Sequence, residues 1–353
     1  MNNSLFILSN IGILRIREGN VRKNRKRLYN FVGMKRTRNA YLWAFGALLL
    51  ILLTAADLAC GGEAGAQVLV HLRAPRAVTA LLAGAALALA GGQMQSVLRN
   101  PLADPHIMGV GSGAALGAAS ATMLGTHAQS MLPGILKGLT ITGSAFLGAV
   151  LTSVIILGVS KKFKSASALL IFGVMLGYMA NAIVSILQFS SDSESLKMFY
   201  SWSAGSFSNS GWNEIGIMSA VLLTAYLLAS RNIKGLDIIL FGDEFATMAG
   251  AAVHKIRLTA ILSCCLTTAA VTAFCGPIGF VGIVAPHIAR GIFKTSAHRT
   301  IIPASLLTGA ITALAADILS RATASPLPIA STMAIVGVPV IIYILLNGKG
   351  YGE

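Results

Sequence analysis

Charge is what this chain has least of. Asp, Glu, Lys and Arg make up 11% of its 353 residues, against roughly 25% in a soluble domain. Acidic residues are the scarcer sign, 12 in all, and nearly all fall in tails, loops or the ends of apolar runs. A proton- or sodium-coupled carrier needs a carboxylate inside a membrane span, so this scarcity argues against one. Asp317 is the exception, lying within an apolar run near its end. It precedes Arg321 by four residues, the favourable helical order for an ion pair, and is read as that arginine's partner. The four cysteines, Cys60, Cys264, Cys265 and Cys275, have no CxxC spacing and sit in or beside apolar segments. They read as free thiols among helices, neither a disulfide framework nor a metal cluster. The six histidines form no HExxH motif and no i,i+4 pair, and no metal site is expected. A phosphate-binding G-x-x-x-x-G-K-[ST] loop is missing too, so the chain does not hydrolyse ATP. It is not expected to be an enzyme.

Apolar sequence is abundant instead. Hydrophobic residues reach 55% and the mean hydropathy is +0.75, which places the chain in a lipid bilayer. At about 20 residues per span, the expected fold is an all-α polytopic membrane protein of about ten helices. Apolar runs fall near 40–58, 74–98, 106–125, 134–158, 166–189, 213–230, 257–275, 277–293, 300–320 and 327–347. The net charge of +15 is concentrated: residues 1–38 hold ten Lys/Arg against one Glu. Outside that segment no basic stripe with interleaved aromatics occurs, which excludes nucleic acid as a partner. Residues 1–38 contain neither a signal-peptide core nor a span. They form either a basic tail held near anionic lipid heads or sequence upstream of a start at Met34, which precedes KRTRNAYLWAF. A permease-like membrane domain then covers 39–350. Counted on alternating sides of the ten runs, Lys/Arg divide 22 to five, which sets both termini on the cytoplasmic side.

Two interruptions break the apolar pattern. RNPLADPHIMGVGSG at 99–113 cannot continue a membrane helix, and GPIGFVGIVAPHIAR at 276–290 holds the corresponding place in the other half. Irregular backbone at membrane depth survives only where protein or a water-filled cavity satisfies its polar groups. Matched interruptions in two halves point to a transport path at the repeat interface. The loop 231–257 is far longer than a hairpin needs. Within it FGDEFATMAGAAV reads as a short amphipathic helix ending at Gly250, with Asp243 and Glu244 at the end the helix dipole favours. Because the chain has no energy source of its own, this loop is read as a docking surface for a cytoplasmic motor.

Several long segments resemble the FecCD-type permeases of ABC importers for ferric siderophores, haem and cobalamin. They are RAPRAVTALLAGAALALAGGQMQSVLRNPLADPHIMGVGSGAALGA at 73–118, FGDEFATMAGAAVHKIRL at 241–258, GPIGFVGIVAPHIAR at 276–290, HRTIIPAS at 298–305, LAADILSR at 314–321 and LPIASTMAIVGVPVIIYILL at 327–346. The similarity covers about 40–347. It implies ten helices in two inverted-topology halves with the ABC importer permease (type II) fold, in the bacterial inner membrane. It further implies a homodimer around a central path, two cytoplasmic ATPase subunits that bind ATP and Mg, and a periplasmic substrate-binding protein.

The resemblance also assigns residues. Arg73, Arg76 and Arg321 match outer-face positions that pair with acidic residues of the binding protein. Asn100 and Leu102, with Pro101 stiffening the turn between them, match the cytoplasmic gate. Ser165 and Ser167 match small polar positions lining the path. Gly242, Asp243, Glu244 and Gly250 match the loop that seats the ATPase. Transport is then alternating access, with no chemistry in this chain and no cofactor of its own. A secondary carrier for a bulky solute is the rival reading, and it requires a coupling carboxylate; a non-transport scaffold leaves the paired interruptions unexplained.

Overall fold

The computed structural model describes residues 37–60, 65–124, 140–160, 162–163, 166–323 and 326–347. The readings of the basic tail, Met34 and Ser165 lie outside these residues. The chain divides into two units, Met1–Leu48 and Leu49–Glu353. In the first, residues 37–48 are helical; the second holds all the other described elements.

Among the described residues, ten helices account for the ten apolar runs. They are α1 (Thr37–Ala59), α2 (Ala66–Val97), α3 (Val110–Met123), α4 (Ile141–Ser160), α5 (Ala166–Phe189), α7 (Trp212–Arg231), α10 (Val253–Cys275), α11 (Val281–Phe293), α12 (His298–Ser320) and α13 (Ile329–Asn347). Three shorter helices lie between them: α6 (Ser193–Ser203), α8 (Ile233–Ile239) and α9 (Asp243–Met248). Seven of the described helices are long and apolar enough to cross a membrane. The chain is a multi-pass membrane protein.

Packing shows the two halves directly. α2 packs on α12 as α10 packs on α4; α3 packs on α4 and α5 as α11 packs on α12 and α13. Exchanging α2–α5 with α10–α13 therefore preserves the pattern of neighbours, as inverted-topology repeats require. At the crossings, small residues let backbones meet. A Cβ added at Gly84 of α2 would lie 2.2 Å from the Gly309 carbonyl oxygen of α12. Likewise, a Cβ at Gly148 of α4 would lie 2.1 Å from the Gly113 oxygen of α3. With lipid as apolar as the helices, such close dispersion contact is what drives association.

Helix ends differ from the sequence expectation where charge misled it. α2 starts at Ala66 rather than near 74, passing through a π turn at Leu69–Arg73. The Trp212 indole N–H donates to the Val70 carbonyl in that turn at 3.2 Å. α10 starts at Val253 rather than 257, with Arg257 inside its first turns. The short helix α6 is an addition. Asp192 caps it by accepting from the Ser195 N–H at 3.4 Å, and hydrogen bonding to Ser195 lowers the Asp192 carboxyl pKa.

Candidate functional site: a path between two broken helices

The first interruption is built residue by residue. α2 ends as the Leu98 N–H reaches the Met94 carbonyl at 2.9 Å. Arg99 then takes φ +49°, an uncommon conformation for a non-glycine residue. Asn100 folds the turn, its Oδ1 accepting from the Leu102 N–H at 2.9 Å, and Pro101 restricts the backbone on both sides of itself. Asp104 accepts from the His106 N–H at 2.7 Å and starts a 3-10 turn, Pro105–Met108. Gly109 (φ +82°) leads into α3, and a Cβ there would lie 2.7 Å from the Gly173 oxygen of α5. The run expected from 106 is thus a helix only from Val110.

The second interruption, 276–280, is shorter. It carries a positive-φ residue as well, Phe280 at +70°. The two interruptions meet: the His106 imidazole contacts the Ile278 carbonyl at 2.9 Å, and a Cβ on Gly282 would lie 2.6 Å from Pro105 Cδ. Pro286 inside α11 has no N–H for the Gly282 carbonyl four residues back. Gln95 of α2 satisfies it, its amide donating at 3.2 Å. Polar groups of both irregular stretches thus find partners within the protein.

α2 connects two polar clusters. From Arg76, ten residues into α2, to Arg99, just past its C-terminus, the chain rises about 35 Å at 1.5 Å per residue, so the two clusters lie far apart along it. At the first end, Arg76 grips Asp317 with a fork, Nε at 2.9 and 3.0 Å and Nη2 at 2.8 Å, and also reaches Ser320 at 3.2 Å. Arg321 donates to Asp317 at 2.8 Å and to the Asp57 carboxylate of α1. Asp57 and Asp317 are buried. Arg73 donates to the Leu58 carbonyl at 3.0 Å. Asp317 is thus Arg321's partner, and Arg76's as well.

At the second end, Arg290 of α11 donates to Gln95 at 2.5 Å. His298 bridges Ser96 of α2 at 2.5 Å and Asp237 of α8 at 2.6 Å. A cavity of about 280 Å³ opens beside these groups. The coupling segment comes next along the chain. Gly242 (φ +106°) precedes α9, and Gly250 (φ +79°) ends it, as the sequence suggested. Asp243 pairs with Arg257, which explains how α10 tolerates that arginine. Glu244 is exposed. The apolar side chains of this segment are exposed too, Phe241 at 75% and Met248 at 82%, with Phe245 ring-packed on Phe241 at 5.6 Å.

The start of α5 comes to the first interruption. Ala166 and Leu169 share a small apolar cavity with Val97, Leu98 and Met108. Ser167 lies on the exposed face of α5, which continues through Ile171, Met175, Tyr178 and Ile186. α13 has a similar exposed face at Ile335, Ile342 and Tyr343. Sequence reasoning missed Gln95, Asp57, Asp237 and His298. Gln95 and His298 lie within segments that carried the family resemblance and Asp237 within the loop read as a docking surface, whereas Asp57 carried no signal.

Two repeated four-helix halves, with two interruptions meeting between them and an exposed apolar segment at 241–248, define a membrane permease of the ABC importer class. The chain belongs to the FecCD transport family, whose model matches residues 39–347. It is 34% identical over 328 residues to the vitamin B12 import system permease protein BtuC of Klebsiella pneumoniae, covering 89% of this chain and 96% of that protein. The BtuC of Salmonella typhimurium is 32% identical over 333 residues, covering 91% and 99%. A solved structure described as an inward-facing conformation of a metal-chelate type ABC transporter superposes with a TM-score of 0.76 at 29% identity. The match covers 88% of this chain and all of that one.

Proposed function

We propose that this permease works as a homodimer with two cytoplasmic ATPase subunits and a periplasmic binding protein. It moves a bulky metal chelate or cobalamin across the bacterial inner membrane into the cytoplasm, with both termini cytoplasmic. The observation that carries the reading is the joining of the two interruptions between the halves, beside a coupling segment that leaves Phe241, Phe245 and Met248 uncovered. Similarity to vitamin B12 permeases and to a metal-chelate transporter supports this substrate class. ATP and Mg bind the partner ATPase, and Gly242, Asp243, Glu244 and Gly250 shape the segment it would push. Movement there would reach the gate at Asn100, Pro101 and Leu102. Ser167 and the exposed face of α5 would line the path once a second copy faces it.

Arg73, Arg76 and Arg321 would receive acidic residues of the binding protein. Arg76 and Arg321 retain 17% and 15% side-chain exposure, so docking would exchange partners with Asp57 and Asp317 rather than find unpaired cations. Charge reversal at Arg73 should weaken docking most at low salt, because exposed charges are screened beyond about 10 Å at 0.1 M.

Secondary transport has less support. Of the buried carboxylates, Asp317 is held by two arginines, Asp104 caps the 3-10 turn, and Asp57 pairs with Arg321 through one oxygen. Reconstitution decides between the readings: uptake of cobalamin or a ferric siderophore into proteoliposomes should require the ATPase, the binding protein and ATP. Active uptake by this chain alone would overturn the proposal.

A further inference from the structure

The 280 Å³ cavity at the Arg99 end of α2 gathers Gln95, Arg99, His287, Arg290 and His298 beside the apolar Pro101 and Leu240. The cationic and polar groups come from two stretches far apart in sequence, Gln95–Arg99 and His287–His298, and the fold brings them to one place. Nearby carboxylates are already engaged. Asp237 accepts from the His298 N–H at 2.9 Å and from its ring, and Asp243 pairs with Arg257. No carboxylate lines the cavity among the described residues.

Helix ends do not cancel the charge. The C-termini of α2 and α11 each contribute roughly −0.5 of a charge, and the N-terminus of α12 contributes a similar positive amount that Asp237 answers. Counting the Asp237 carboxylate in full, the two guanidiniums leave about half a positive charge over, even with both histidines neutral. A cleft lined by one sign of charge between apolar walls concentrates counter-ions.

We propose that this cavity binds a phosphate-type anion, supplied as free phosphate or as the head group of an anionic phospholipid. Guanidinium forks suit tetrahedral oxyanions because they bond two oxygens at once. Basic pockets between the ends of membrane helices are lipid-phosphate sites by the same chemistry. The volume lies just under the ~300–1,000 Å³ of drug-sized pockets and accommodates a phosphate with a small substituent. Pro101 of the gate turn borders the cavity as well, but the anion assignment rests on the cavity's own lining and does not depend on the transport reading. Its position has a mechanical meaning. Arg99 belongs to the interruption, and its Nη1 lies 3.3 Å from where a Gly242 Cβ would stand, so an anion held by Arg99 and Arg290 would join the gate turn to α11 beside the coupling segment.

The test uses the purified full chain in phosphatidylcholine nanodiscs, with unfolding followed by dye labelling of the buried thiols Cys264, Cys265 and Cys275. Inorganic phosphate is titrated against chloride at matched ionic strength, and a second set of discs contains phosphatidylglycerol. A saturable rise in midpoint with phosphate identifies a free anion; a rise with phosphatidylglycerol alone identifies a lipid head group. In either case Arg99→Gln or Arg290→Gln should weaken the response about tenfold, the value of one hydrogen bond to a charged group, while Arg231→Gln should not. Arg99 is exposed, so its variant keeps the fold. No midpoint change with either additive, or an undiminished response in Arg99→Gln, overturns the proposal.

Discussion

At one end of α2, Arg76 meets Asp317, Arg321 meets Asp317 and Asp57, and the buried carboxylates leave the two arginines under a fifth exposed. At the other end, Arg99 is exposed, Arg290 leans on an amide, and a cavity stands open beside them. The first cluster matches each cation to an anion and ties α1, α2 and α12 together. The second keeps a net positive charge next to the interruption and the coupling segment. A closed charge network fixes helices in place, whereas an open one can be changed by what binds to it. If the proposed anion binds there, the second end is where movement would be controlled.

Removing a carboxylate from the closed cluster should have the largest effect. Asp317→Ala strands Arg76 and should cost about 3–5 kcal/mol, the usual result of breaking a buried pair. Thermal unfolding read by thiol labelling would register it as a large drop in midpoint. Replacing the pair together, Arg76→Met with Asp317→Leu, should recover most of the loss. If the single substitution were silent, the closed cluster would not be a staple.

The crossing between the two ends comes next. Gly84→Val forces a side chain into the Gly309 backbone and should cost about 1–3 kcal/mol by overpacking. Gly216→Ala, where a Cβ meets nothing within 4 Å, should be neutral by the same assay.

The smallest expected effect is at the open end. Asp237→Ala removes the acceptor of His298, but Asp237 is itself 37% exposed, so the cost should be about 1 kcal/mol or less. The contrast between the ends sharpens if that variant uncouples ATP hydrolysis from uptake while its unfolding midpoint barely moves. Equal destabilisation at Asp237 and Asp317 would erase the distinction.

Much of this was legible in the sequence because lipid imposes simple rules. Ten apolar runs became ten helices, and RNPLADP and GPIGF were recognisable as breaks because no span continues through them. Charge caused the misplaced boundaries. Arg73 and Arg76 looked like the edge of a span, yet α2 continues through them because Leu58 and Asp317 supply acceptors from elsewhere. Arg257 looked like a boundary for the same reason, and Asp243 makes it tolerable inside α10. The Asp317–Arg321 pair was readable from its four-residue spacing; the Asp57–Arg321 pair, separated by 264 positions, has no local signature. α6 was missed although Phe199 and Trp202, three apart, are its buried face: at 11 residues, with a mostly polar sequence, it lacks the length that makes a span obvious.

The contacts at Gly84–Gly309 and Gly113–Gly148 have a consequence for stiffness. Where two helices meet through side chains, rotamers can adjust and the joint has some compliance. Where carbonyl meets Cα, there is no soft layer to deform, and sliding one helix by a fraction of a turn would drive backbone into backbone. α2 with α12, and α3 with α4, therefore behave as two riveted beams. Any change in the width of the path has to be taken up at the hinges beside them, at Arg99–Gly109 and at Gly276–Phe280, where the backbone is already off the helix.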